Sequence, residues 1–171
     1  MQVYRVCRIC TSFMNPKPDL PGWLACSCGY RKVEKPYITL EQYLMGREKT
    51  YASELSQDII NNINELLDKV NCLLFELKVE KVSVSSGWRP AAVNAATAGS
   101  AKKSLHMTGK AVDILDSSDQ QLAHLVLSKP ELLKTYGLWV EDPASTKGKN
   151  TNWVHLDIGT RSDRPLRMFK P

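Results

Sequence analysis

The sequence predicts an α+β protein that carries a small cysteine-rich unit at its N-terminus, and three observations lead there. Apolar residues recur at three- and four-residue steps from Leu55 to Leu77, the period of a long amphipathic helix. Four short runs, VEKVSVSSG, AVDI, GLWVED and NWVHLDI, read as strands set between helical stretches. Four of the five cysteines fall in the first 28 residues, among turn formers and without periodicity, so something other than a hydrophobic core must hold that part.

Taken in order, residues 1–35 form the cysteine unit, with CRIC, the Pro-rich NPKPDLPG and CSCGYRK. Residues 36–50 read as a connector in which PYITLEQYLMG forms a short helix. The main domain spans 51–171. Its first helix begins at Ser53, a suitable N-cap, and presents Leu55, Ile59, Ile63, Leu66, Val70, Leu73 and Leu77 on one face. Cys72, alone on this helix, reads as a small buried hydrophobe. Val82 and Val84 then alternate with polar neighbours as a strand that ends in a glycine turn. Residues 90–103 give a short helix and a loop, AVDI a second strand, and SSDQQLAHLVLSKPELLKTYG a helix that Pro130 interrupts. GLWVED and NWVHLDI are further strands around a polar loop, and the basic tail TRSDRPLRMFKP packs by its Met and Phe.

Length and composition bound the function. With 171 residues, 43% hydrophobic and 24% charged, the chain has enough apolar residues for one ordinary core. No apolar run approaches the ~18–20 residues of a membrane span. MQVYRVCRIC lacks the apolar stretch of a signal peptide, so the expectation is synthesis in the cytoplasm and action after lysis-linked release or within a larger particle. The net charge of +5 favours anionic partners, among them nucleic acid, cell-wall polymers and membrane surfaces, without choosing between them.

Chemistry gathers in SLHMTGKAVDI, which sets His106 before a Gly109 turn and Asp113 after it. If AVDI and WVHLD are neighbouring strands, Asp113 and His155 project from one face, and His106 reaches the same point from the loop. Two imidazoles and a carboxylate suit a zinc ion with a fourth position for water, which is the equipment of metal-assisted hydrolysis. Spacing alone leaves a plain reading open, with His106 in a loop, Asp113 as a turn former and His155 half-buried in a strand. His124, mid-helix beside Leu122, Leu125 and Leu127, reads as structural.

Ser86 to Arg89 (SGWR), then Ser104, His106, Gly109, Ala111 and Asp113, then Trp153 and His155 form three ordered motifs over roughly residues 80–160. Together they resemble the zinc D-alanyl-D-alanine peptidases, which share a fold with lysostaphin-type endopeptidases and the hedgehog signalling domain. The resemblance implies a small antiparallel sheet with flanking helices. It implies a catalytic zinc on His106, Asp113 and His155, and cleavage of peptide bonds in the peptidoglycan stem, as phage endolysins and bacterial carboxypeptidases of this pattern do. Arg89 would act on the substrate through its planar fork, Ser104 would bond a group at the site, and Trp153, with Trp88, would wall the cleft. Many relatives carry a Glu or His three residues before the last metal histidine as general base; here that residue is Asn152, which cannot accept a proton at neutral pH. Asp157, Glu141 and Asp142 remain as carboxylates for this role, with Glu141 preferred. Without such a base the chain would be a binding module for wall peptide, or a structural component of a viral particle contacting other virion or tail proteins.

Cys7-x-x-Cys10, a gap of fifteen residues and Cys26-x-Cys28-Gly29 resemble a zinc ribbon, although its common knuckle has two residues between cysteines rather than one. Four thiolates around a second, structural zinc would supply the stability such a small unit lacks. Arg5, Arg8, Arg31, Lys32 and Lys35 lie nearby, so the ribbon could dock a protein or an anionic polymer. Nucleic acid ranks low among these, because basic and aromatic residues rarely interleave elsewhere.

Overall fold

The structure, a computed structural model, describes residues 12, 14–27, 30–148, 151–162 and 166–171. Cys7, Cys10 and Cys28 fall outside the described residues, and with them the expected zinc ribbon. What is described of the N-terminal unit is a three-stranded antiparallel sheet of β1 (Asn15–Pro16), β2 (Trp23–Ala25) and β3 (Arg31–Val33). Cys26, at the end of β2, is buried with Met14 and Leu24.

Residues 36–50, expected as a connector, contribute to the core of the main domain. Helix α1 (Leu40–Leu44) starts with a capping box in which the Thr39 side chain and Gln42 satisfy each other's backbone. Its Tyr43 and Leu44, with Ile38 just before, are buried in the principal hydrophobic cluster.

Helix α2 (Gln57–Glu76) is the long amphipathic helix, but it begins one turn later than expected. Its N-cap is Ser56, whose Oγ accepts from the Ile59 amide at 3.3 Å. Ser53 sits instead in a separate 3₁₀ turn, Ala52–Glu54. Leu55 breaks the helical path after it, and the Glu54 carboxylate caps a different helix by accepting from the Ala91 amide at 2.8 Å. That helix is α3 (Ala91–Ala96). The expected apolar face holds: Ile63, Leu66, Val70 and Leu73 are fully buried, and Cys72 is buried too.

The main sheet has five strands in the order β4-β5-β7-β6-β8, formed by β4 (Val84–Ser86), β5 (Ala111–Asp116), β6 (Trp139–Glu141), β7 (Asn152–Asp157) and β8 (Met168–Phe169). Its pairings are antiparallel except at one edge, where β8 from the basic tail runs parallel to β6. Alternation along the strands divides the sheet. Val112, Ile114, Val140, Val154 and Leu156 turn into the core beneath α2. Asp113, Leu115, Trp153, His155, Asp157 and Glu141 stand on the opposite face by the same period of two.

Between β5 and β6 lie α4 (Gln121–Leu127) and α5 (Pro130–Tyr136). Pro130 occupies the first turn of α5, where its missing amide costs nothing. The Asp116 carboxylate ends β5 and caps α4 through the Leu122 and Ala123 amides, each at 2.9 Å. His124 is mid-helix as expected, on the exposed face. No helix among the described residues is long and apolar enough to cross a membrane.

Candidate metal centre

Each motif of the sequence has a mechanical job around one point on the open face of the main sheet. In β4 the register slips between Val84 and Ser86, so that Val84 opposes Ile114 while Ser86 opposes Asp113. Such a bulge re-aims the chain, here into Gly87, Trp88 and Arg89. The Tyr43 carbonyl lies so close that a Cβ at Gly87 would sit 1.9 Å from its oxygen, which only glycine tolerates. Trp88 is fully buried and donates its Nε1–H to the Met107 carbonyl at 3.2 Å, so it is a core residue and no cleft wall.

His106 rides on the 3₁₀ turn Leu105–Thr108, whose N-cap is Ser104; the Ser104 Oγ accepts from the His106 amide at 3.3 Å. The turn closes at Gly109, in the left-handed region at φ +72°, packed so tightly on Ile59 and Ile63 of α2 that a side chain would collide. Asp113 and His155 are direct cross-strand partners on β5 and β7. The three side chains converge with their ligand-type atoms all within 4.8 Å of one another.

The ring of His106 is prepared for a cation. Its Nδ1 lies 2.8 Å from the Gly87 carbonyl, and a carbonyl only accepts, so Nδ1 carries the proton and Nε2 keeps its lone pair. That Nε2 is buried, lies 3.3 Å from Asp113 Oδ2 out of line for a hydrogen bond, and has no hydrogen-bond partner. Burial lowers the pKa of His106 against the opposing pull of Asp113, which favours the neutral ring. An orphaned, buried imidazole nitrogen aimed at a carboxylate and a second histidine is what a divalent metal ion would satisfy. The donor set of two nitrogens and one oxygen therefore fits a zinc ion.

Asp113 is anchored on several sides. Arg89 donates from Nη2 to Oδ2 at 2.6 Å, and His155 Nδ1 lies 2.7 Å from Oδ1. Burial would raise the pKa of Asp113, but its close contacts with His106 and His155 outweigh it and hold the carboxyl well below the usual range. For His155, burial opposes the charged form, yet Asp113 and Asp157 hold its pKa up at about 9. Arg89, expected at the substrate, thus has Nη2 committed to Asp113 and Nε to Ser86 Oγ at 2.8 Å.

Asn152 and the three acid candidates separate by environment. Asn152 belongs to the other face of β7 and donates to the Ser117 and Ser118 carbonyls, both at 3.0 Å, pinning the loop after β5. Asp142 caps a turn through the Ala144 amide and pairs loosely with Lys170. Asp157 is fully buried, and each of its oxygens takes two contacts: Gly159 N and Arg161 Nη1 on Oδ1, His155 Nε2 and Arg161 Nη2 on Oδ2. Those contacts use all its acceptor sites. Glu141 differs. Trp139 pairs with Asp157 and Val140 with Leu156, so the register carried one step further sets Glu141 beside His155, in one row with Asp113 across three strands. It is half-buried and makes no hydrogen bond or ion pair among the described residues. Burial raises its pKa, with His155 and Arg161 pulling down and Asp113 and Asp157 pushing up.

Trp153 stands on the metal face, half-buried opposite the exposed Leu115, where the two form an apolar rim. Two contributors are not singled out by the sequence: the Gly87 carbonyl within the SGWR motif, which sets the His106 tautomer, and Arg161, which grips Asp157.

Among curated proteins none matches the chain. The Peptidase M15 family profile, by contrast, matches residues 42–157, from α1 through β7, and so takes in His106, Asp113 and His155. The chain belongs to the Peptidase M15 family, a family of zinc metallopeptidases that act on peptide bonds.

Proposed function

We propose that the chain is a zinc-dependent cell-wall hydrolase of the phage or prophage type, cleaving D-alanine-containing peptide bonds of the peptidoglycan stem or cross-bridge. The observation that carries this reading is the row of Asp113, His155 and Glu141 across the open sheet face, with His106 Nε2 aimed at it. In this reading His106, Asp113 and His155 hold the zinc. When bound there, zinc supplies a water made acidic enough to attack at neutral pH and a Lewis acid for the peptide carbonyl.

The remaining work falls to protein groups. The Glu141 carboxylate takes the proton from the attacking water and delivers it to the leaving amine, a role suited to an uncommitted, half-buried acid. Arg89 steadies Asp113 with Nη2 and leaves Nη1 for a substrate carbonyl or carboxylate. Trp153 and Leu115 flank the scissile region with apolar surface that fits small alkyl side chains. Ser104 acts from below by fixing the turn that presents His106. The net charge of +5 favours approach to an anionic wall.

Release of soluble peptide from purified walls by zinc-loaded protein is the deciding experiment. His106→Ala should remove the catalytic zinc and lower release by at least ~10³-fold, in keeping with loss of a metal-based mechanism. Walls left intact by the loaded wild-type protein would sink the hydrolase reading, and binding without release would favour a wall-binding component instead. Metal analysis of the same samples addresses the second zinc proposed for Cys7, Cys10, Cys26 and Cys28: His106→Ala should keep one ion per chain if the cysteines bind it.

A further inference from the structure

The family match ends at Asp157, at the close of β7, yet the chain beyond it returns to the metal face. Gly159 makes the return possible: a Cβ there would lie 2.7 Å from Leu105, 3.0 Å from Arg161 Nη1 and 3.1 Å from Asp157 Oδ1. Arg161 then grips Asp157 with both prongs of its guanidinium, Nη1 on Oδ1 at 2.5 Å and Nη2 on Oδ2 at 2.8 Å. The guanidinium lies on the ring of Phe169, 3.7 Å from its centroid, and the same ring meets His155 edge-on with centroids 5.9 Å apart.

We propose that Arg161 is a positioning residue which, through Asp157, holds the ring of His155 with Nε2 toward Asp157 and Nδ1 toward the metal, with Phe169 keeping Arg161 in place. This rests on the reading of His106, Asp113 and His155 as the zinc ligands. The chain of reasoning is one of donors and acceptors. Asp157 is fully buried, and the two-pronged arginine fixes both of its oxygens, so its carboxylate has one orientation toward His155. An ionised carboxylate can only accept, so His155 Nε2, 3.3 Å from Asp157 Oδ2, must carry a proton. Nδ1 is the nitrogen that faces Asp113, 2.7 Å from its Oδ1, and so it is the ligand atom once a cation displaces its proton. Carboxylate–histidine–metal arrangements of this kind set ligand orientation and basicity. Here the carboxylate is itself set by a residue four positions later, from a segment outside the family match. A lysine could keep the charge but not the two-pronged grip.

The test measures zinc affinity by chelator competition, and the nitrogen shifts of His155 by NMR of the zinc-loaded full chain with labelled histidine. In the wild type, Nε2 should appear protonated and Nδ1 as the ligand. Arg161→Gln should weaken zinc by ~10–100-fold, the range for loss of such outer partners, and mix the His155 tautomers. Arg161→Lys, which spares the buried charge and protects against misfolding, should weaken zinc by several-fold in the same direction. Phe169→Leu should do so by less. Affinity within about twofold of wild type in both Arg161 variants, with His155 shifts unchanged, would overturn the proposal while leaving the metal reading intact. A wild-type chain that binds no zinc at His106, Asp113 and His155 would overturn both.

Discussion

The two sheets of this chain use their faces in opposite ways. In the five-stranded sheet, Val112, Ile114, Val140, Val154 and Leu156 pack into the core on one side, while Asp113, His155 and Glu141 stand on the other. Among the described residues, the three-stranded sheet has apolar contacts on both faces. Leu24 joins Met14 and Cys26 in a small cluster on one side, and Trp23 and Val33 pack with Cys72 and Phe75 of α2 on the other. A layer packed on both sides uses its faces for cohesion. One backed by a long helix can carry several buried polar groups on its free side, because the apolar side supplies the stability those groups cost.

The sharpest way to break that contrast is at the free face. Glu141→Gln keeps shape and removes the proton acceptor, so turnover should fall by ~10²–10⁴-fold, the usual worth of a general base. Zinc content should be unchanged, and stability should move by no more than about 0.5 kcal/mol, as for a side chain that makes no bonds. Turnover at the wild-type level would place the base elsewhere. Asp157→Asn should behave differently, losing zinc along with activity, because Asp157 is bonded to Arg161 and His155 rather than open to a water.

This pair of acids also shows where sequence stops being informative. His106, Asp113 and His155 are legible as part of an ordered motif set: the Gly109 turn and two strands of period two allow them to share one side, although spacing alone leaves a plainer reading open. The long helix is legible from local spacing, its apolar period being strong over five turns. The place of the proposed base is a matter of cross-strand register, which no local pattern encodes: Glu141 falls beside His155 by continuing the register in which Trp139 pairs with Asp157 and Val140 with Leu156. Arg89 announces itself as a functional arginine, yet its partner, Asp113, follows from a bulge at Ser86 that the run VSVSSG does not reveal. Arg161 gives no signal at all. An Asp–Arg pair four residues apart suggests a contact on a helix, and here a glycine loop brings it about instead.

At the small sheet the prediction concerns stability rather than rate. Trp23 is 9% exposed and meets Phe75 edge-on with ring centroids 5.3 Å apart, so it is the main anchor of the unit on α2. Trp23→Ala should cost about 3 kcal/mol, the lower end for a buried tryptophan. The loss should be local: hydrogen exchange should quicken in residues 14–27 and 30–33 while peptide release per zinc-loaded chain stays near wild type. An equal loss of protection in β5 and β7 would show that the small sheet supports the site, and the contrast between the two would fail.

The smallest effect tests the element both sheets share. Helix α2 backs the main sheet with Ile63, Leu66 and Val70, and receives the small one at Cys72 and Phe75. Its start is therefore the one local feature on which both halves depend. Sequence points to Ser53 as N-cap, whereas the structure uses Ser56 and assigns Ser53 to a separate turn. Ser56→Ala removes the oxygen that accepts from the Ile59 amide and should cost about 1 kcal/mol, the usual worth of such a cap. For a chain of this size that lowers Tm by about 3 °C. Ser53→Ala should leave Tm within error, since no hydrogen bond of its side chain holds α2. Equal shifts in the two variants would mean that the helix begins a turn earlier, and that Glu54 does not hold the Ala91 amide beside the SGWR segment that carries Arg89.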